Sequence, residues 1–172
     1  MRSSIISVVA AFGLAGFALA GCGQEQAGNQ PGETPGQAAT TADMSPEGNQ
    51  KFLADNKAKP GVTTTASGLQ YRVIKSGAGA SPTPNDIVNV TYRGWLIDGT
   101  VFDETPPGQT ATFPAGQLIP GWVEALQLMK EGDEWEIVLP ADLGYGAQGA
   151  GGVIPPNQTL VFNMALLGVQ KQ

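Results

Sequence analysis

The chain has 172 residues, with nine Lys or Arg against fifteen Asp or Glu, one Cys and no His, for a formal charge of −6. Without His there is no imidazole base, no His-containing triad and no His-ligated zinc motif, and a single Cys excludes an internal disulfide or a multi-Cys metal cluster. The acid excess argues against nucleic acid as a partner, while 24 Gly and 13 Pro point to turn-rich β structure or an unstructured segment.

Taken in chain order, the N-terminus reads as a processing signal. Arg2 supplies the positive start, and residues 5–20 form an apolar run short for a membrane span. The run ends Leu19-Ala20-Gly21-Cys22, which resembles the bacterial lipobox, where the cysteine is lipidated and becomes the first mature residue. Ala18-Leu19-Ala20 also fits the small-x-small rule of an ordinary secretory signal. The lipobox is preferred because the only Cys of the chain stands where lipidation needs it. Residues 1–21 are then a signal peptide, and a lipid on Cys22 anchors the chain to a membrane without spanning it. Gly23 stands where inner-membrane lipoproteins usually carry Asp; the resemblance thus implies the outer membrane, facing the periplasm, as the place in the cell envelope.

Residues 22–60 read as an acylated flexible tether with one short helix. From residue 23 to 47 there is no aromatic residue, no Val, Ile or Leu, and only acidic charge, so burial cannot offset the entropy of ordering. The helix is predicted from Ser45 as N-cap and Pro46 at its first position, with Phe52 and Leu53 as its apolar face, ending before Pro60-Gly61. That face is too small for a dimerisation arm, and a monomer is expected.

A compact domain is expected over residues 61–172. Alternation at Leu69, Tyr71 and Val73, then at Val88, Val90 and Tyr92, predicts two strands, and Asp98-Gly99 a hairpin turn leading into Val101-Phe102. Gly121 to Met129, with Pro120 just ahead, reads as the only helix inside the domain. Trp135, Ile137 and Leu139 mark another strand, and Leu160, Phe162, Met164 and Leu166 the last. Strands without a βαβ rhythm give an α+β domain on an antiparallel sheet.

Two motifs are set aside. Residues 144–149 match GxGxxG, but Pro155-Pro156 follow where a dinucleotide site needs a helix, and no acid occurs after Asp142. Glu134 and Glu136 alternate with Trp135 and Ile137, which makes them a solvent face rather than a glycosidase pair.

What remains is an ordered set: Tyr92-Arg93-Gly94, Asp98-Gly99-Thr100-Val101-Phe102-Asp103, Leu118-Ile119-Pro120-Gly121-Trp122, Tyr145-Gly146, Val153-Ile154-Pro155-Pro156 and Thr159-Leu160-Val161-Phe162. In this set the chain resembles the FKBP-type peptidyl-prolyl cis-trans isomerases. The resemblance implies a five-stranded antiparallel sheet wrapped around one short helix, preceded by the disordered tether, with an apolar pocket between sheet and helix. By the same resemblance Trp122 is the pocket floor, Tyr92, Phe102 and Phe162 its aromatic walls, and Leu118, Ile119 and Ile154 its aliphatic lining. Tyr145 supplies a hydroxyl from a flap loop, Asp103 the acid at the rim, and the Ile119 N–H a donor to a ligand carbonyl. Phe102, Asp103, Tyr145 and Phe162 carry the catalytic expectation; Tyr92, Leu118, Ile119, Trp122 and Ile154 carry substrate binding. Ala111, Ala150, Gly151 and Asn163 depart from residues common in the family.

The implied activity is peptidyl-prolyl isomerisation that assists folding of envelope or secreted proteins, with no cofactor and no metal. Expected partners are proline-containing polypeptides and macrolide immunosuppressant-type inhibitors. A chaperone-like proline-peptide binding module, or a surface interaction protein with little turnover, is the alternative. Considered one at a time, Phe102, Phe162 and Ile154 are as well explained as core. Asp103 is not, because the resemblance places this acid in an apolar pocket, where it needs a hydrogen-bonding partner.

Overall fold

A computed structural model describes residues 42–172. The expected signal peptide, Cys22 and the first twenty residues of the expected tether lie outside the described residues. In chain order the fold is α1 (Pro46–Lys57), β1 (Val62–Thr64), β2 (Gln70–Lys75), β3 (Ile87–Leu96), β4 (Val101–Glu104), β5 (Ala111–Pro114), α2 (Pro120–Leu128), β6 (Glu134–Leu139) and β7 (Leu160–Gln170). The strands form one sheet in the order β1-β2-β6-β7-β3-β4, with β5 also paired to β3. Every pairing is antiparallel.

The α+β class and FKBP-like fold are present, but the expected five strands around one helix are corrected to seven strands and two helices among the described residues. Two physical causes account for the extra strands. β4 and β5 lie along the same edge of β3, at Arg93 to Trp95 and Ile87 to Val90 respectively, and Pro106-Pro107-Gly108 interrupts what would be one strand, since proline has no ladder N–H. β1 is only three residues, Val-Thr-Thr, too short for any periodicity to show.

The core lies on the inner face of the sheet. Leu160, Phe162, Met164 and Leu166 of β7, Val88 and Val90 of β3, and Ile137 and Leu139 of β6 are buried there against Trp122, Ala125 and Leu126 of α2. Pro120 at the first position starts α2, where its missing N–H costs no hydrogen bond. The expected hairpin forms at Asp98-Gly99, with Gly99 at φ 87° and the Leu96 N–H donating to the Thr100 carbonyl at 2.9 Å.

α1 starts as its sequence suggests, Ser45 Oγ accepting the Gly48 N–H at 3.1 Å. Its buried residues, however, are Asn49 and Asn56; Phe52 and Leu53 are only half-buried. It lies on the outer face of the sheet, over the cross-strand row Gln70, Val138 and Val161, which is buried although it points away from the core. Asn56 Nδ2 donates to Gln70 Oε1 at 2.8 Å, and Gln70 Nε2 donates to the Leu53 carbonyl at 2.9 Å. Asn49 Oδ1 accepts the Thr159 N–H, just ahead of β7, at 2.7 Å. Seven helical residues rise about 10.5 Å, close to the roughly 9.6 Å that separates β7 from β2 across β6. The two asparagines therefore reach both ends of the row.

Candidate functional site

On the inner face, where the start of α2 meets β3 and β4, a cleft of about 200 Å³ is lined by Tyr92, Phe102, Asp103, Phe113, Leu118, Ile119, Trp122, Tyr145 and Phe162. Trp122 sits at its base, 4% exposed. Three rings meet it edge-to-face: Tyr92 at 5.0 Å and 86°, Phe162 at 5.3 Å and 82°, and Phe113 at 6.2 Å and 84° between centroids. Phe102 meets Phe162 in the same way, at 5.4 Å and 86°. Such T-shaped contacts each add about 0.5–1.5 kcal/mol beyond area burial, so the cage is rigid before anything enters it.

Backbone placement explains why the rings converge. Tyr92, Phe102, Phe113 and Phe162 come from four strands whose inner rows meet at β3. Gly94 lies between Phe102 and Phe162: a Cβ there would stand 2.7 Å from both rings. The glycine of the Tyr92-Arg93-Gly94 run is thus a space requirement of the cleft.

The one acid is tied into the wall. Tyr92 donates its hydroxyl to Asp103 Oδ2 at 2.7 Å. Burial, then the hydrogen bond and the charge of Asp103, push the Tyr92 phenol far above its ordinary range, so it is a neutral donor at all physiological pH. At the floor, the Trp122 indole N–H is buried and has no partner among the described residues. The Ile119 carbonyl accepts from the Trp122 and Val123 amides as α2 begins. The Ile119 N–H has no acceptor among the described residues, which leaves it available at the cleft. Tyr145, 41% exposed, stands on the loop between β6 and β7.

Eight of the nine pocket residues expected from sequence therefore line one cleft. Ile154 does not: it is buried in the core cluster and forms a β-bridge with Ala150 within the loop that carries Tyr145. Phe113 is the lining residue that sequence reading left unassigned. Its alternation with Ala111, in register with Val88 and Val90, was the available signal.

Among the described residues several grooves are larger, including one of about 240 Å³ beside Arg93, Trp95, Gly99 and Val101 and two that are larger still. One, about 390 Å³, is on the outer face by Thr91, Arg93, Trp95 and Asn163; another, about 470 Å³, runs along Leu118, Val123 and Leu128 of the α2 surface. None gathers aromatic rings around a buried floor, so size does not single them out as the site.

A family model for FKBP-type peptidyl-prolyl cis-trans isomerase matches residues 79–167, and one for the domain amino terminal to it matches residues 23–73. The chain belongs to the FKBP-type peptidyl-prolyl isomerase family. It is 54% identical over 121 residues to outer membrane protein MIP of Legionella longbeachae, covering 70% of this chain and 52% of that protein. It is also 54% identical over 127 residues to peptidyl-prolyl cis-trans isomerase Mip of Coxiella burnetii, 73% of this chain and 55% of the relative. The chain spans about half the length of these curated relatives. Among solved structures, a peptidyl-prolyl cis-trans isomerase from Pseudomonas syringae pv. tomato superposes with a TM-score of 0.70 at 38% identity, over 81% of this chain and 99% of that one.

Proposed function

We propose that this chain catalyses cis-trans isomerisation of X-Pro peptide bonds and so assists the folding of envelope or secreted proteins. The observation that carries the reading is the aromatic cage of about 200 Å³ around Trp122. Rotation about a peptide bond has a barrier of about 18–20 kcal/mol because it breaks amide resonance. In the twisted amide the carbonyl is less dipolar than in the planar one, so a dry apolar cleft favours the twisted form. Each ~1.4 kcal/mol of that difference gives about tenfold in rate.

In this reading Trp122, Phe102, Phe162 and Phe113 grip the prolyl ring, with Leu118 and Tyr92 completing the wall. The Ile119 N–H and the Tyr145 hydroxyl hold carbonyls on either side of the bond. Asp103 fixes the Tyr92 ring through its hydroxyl and places one negative charge at the rim. No residue forms a covalent intermediate. Proline-containing polypeptides are the substrates, and macrolide immunosuppressant-type compounds would compete for the same cage.

The anchored placement belongs to the same proposal: signal removal after Gly21, a lipid on Cys22, and attachment at the periplasmic face of the outer membrane. Residues 61–172 carry every residue of the cleft, and the working form is a monomer. The decisive assay follows a peptide enriched in the cis X-Pro form. Catalysed relaxation that a macrolide abolishes is expected; peptide binding without faster relaxation would mean a binding module instead. For the anchor, Cys22→Ser should release soluble protein or leave an unprocessed precursor, and failure of the wild type to take up labelled fatty acid would overturn it.

A further inference from the structure

The loop between β6 and β7 carries Tyr145 at one end and meets α1 at the other. Its neck is closed by the Asn157 N–H, donated to the Gly146 carbonyl at 2.8 Å from a residue held at φ 60°. Gly146 is the neighbour of Tyr145. After Asn157 the chain is fixed by polar groups at and just ahead of the start of α1, and before it by the Gln158 side chain. Gln158 Nε2 donates to the Pro156 carbonyl at 3.0 Å and to the Met44 carbonyl at 3.1 Å, while Gln158 Oε1 accepts from Asn49 Nδ2 at 3.2 Å. Asn49 Oδ1 takes the Thr159 N–H. Residues 158 and 159 are thus held by the start of α1, Pro156 is held through the Gln158 side chain, and the residue among them holds Gly146.

The arrangement is built from the other side as well. The chain ahead of α1 folds back over its first turn, so closely that a Cβ on Gly48 would collide with the Asp43 carbonyl oxygen. This fold presents the Met44 carbonyl to both Asn49 and Gln158. Asn49 and Gln158 are themselves buried, at 4% and 7% exposure, where water cannot replace a lost partner. Elsewhere the loop is restrained by Ile154, buried in the core, and by the backbone hydrogen bonds that Ala150 and Ile154 exchange at 3.0 Å, while Gly151 to Val153 are exposed at the tip.

We propose that, given the cleft as the isomerase site, Asn49 and Gln158 are positioning residues for the Tyr145 loop, so that α1 sets one wall of the cleft from the opposite face of the sheet. Neither touches the substrate. Both act through the Asn157–Gly146 bond on where the Tyr145 hydroxyl stands. Asn56 is the internal control, equally buried on the same helix but bonded to Gln70 of β2 rather than to the segment that holds Gly146.

The test compares Asn49→Ala, Gln158→Met and Asn56→Ala in the full chain, with unfolding measured beside turnover. Gln158→Met is the milder change, because Asn49 Nδ2 keeps the Met44 and Ser45 carbonyls. Loss of one such hydrogen bond corresponds to about two- to tenfold. That fall in kcat/KM is expected for Asn49→Ala and Gln158→Met, with Asn56→Ala turning over as wild type whatever its stability. In a Tyr145→Phe background, Asn49→Ala should cost less than it does in wild type, and amides 144–157 should exchange hydrogen faster in Asn49→Ala. Equal falls in all three variants in step with stability, additive effects of Asn49→Ala and Tyr145→Phe, or unchanged exchange over 144–157 would each overturn it. If the wild type shows no turnover, the isomerase reading falls by itself, and the exchange measurement still decides whether α1 holds the loop.

Discussion

The two faces of the sheet are organised by opposite chemistry. On the inner face, three aromatic rings from β3, β5 and β7 close on Trp122 and a fourth from β4 closes on Phe162, and among the described residues only one side-chain hydrogen bond, Tyr92 to Asp103, is made within the lining. On the outer face, α1 is attached chiefly by amides: Asn49, Asn56, Gln70 and Gln158 bond to one another and to backbone. Apolar packing tolerates replacement by another ring of similar volume, whereas a buried amide network fails as soon as one partner is removed. The first surface suits a site that must accept many prolyl peptides. The second suits a joint with a single fitted geometry.

Removing the joint altogether is the largest perturbation. A chain beginning at Gly61 keeps the inner core and every cleft residue, and should still unfold cooperatively. It exposes Val138 and Val161 and leaves Gln70, Gln158 and the Thr159 N–H without their partners. Loss of about 3–6 kcal/mol is expected in urea unfolding. An unchanged midpoint would mean that α1 is a passenger on the sheet. Next in size, Phe162→Ala empties part of the cage and should cost about 3–5 kcal/mol, with kcat/KM for an X-Pro peptide falling at least about tenfold. Should the variant keep wild-type turnover, the cage is not where proline binds.

Gly94→Ala sharpens the contrast, because it alters no lining side chain. The added methyl group has to displace the Phe102 or Phe162 ring from 2.7 Å. Overpacking of this kind costs about 1–3 kcal/mol, and here it should also weaken binding of a prolyl ligand, read as a smaller change in Trp122 fluorescence. Full binding with the methyl present would show that the cage adapts, contrary to its close edge-to-face packing.

The inner face was largely legible in the sequence for a physical reason. Its residues announce themselves by period-two alternation, as in Leu160 to Leu166, and by large aromatics in an order shared with a family; only Phe113 in a four-residue strand was missed, and Ile154 turned inward to the core instead. The outer face was not legible. Asn49 and Asn56 are seven apart in a weakly amphipathic helix, and nothing local distinguishes them from solvent-facing asparagines. Their partners, Gln158 and Gln70, lie 109 and 14 positions away. Strand count failed similarly, since Pro106-Pro107 divides one edge and β1 is three residues long.

The smallest effect concerns the side-chain hydrogen bond from Tyr92 to Asp103 in the cleft wall. Tyr92 is held neutral first by burial and then by Asp103. Its folded-state value is raised above tyrosine's ordinary value of about 10. The contribution to stability is therefore complete below pH ~10 and declines as pH rises further toward the folded value. In the near-ultraviolet phenolate band, Tyr92 should ionise later than it does in the unfolded chain. Asp103→Val removes the acceptor and the charge but not the burial, so Tyr92 titration should move down while staying above the ordinary value. Turnover should fall by only about two- to tenfold, the range of one hydrogen bond. If Tyr92 titrates identically with and without Asp103, the acid does not hold that ring. Any effect of Asp103→Val on turnover would then come from the lost charge at the rim, acting directly on the substrate carbonyl.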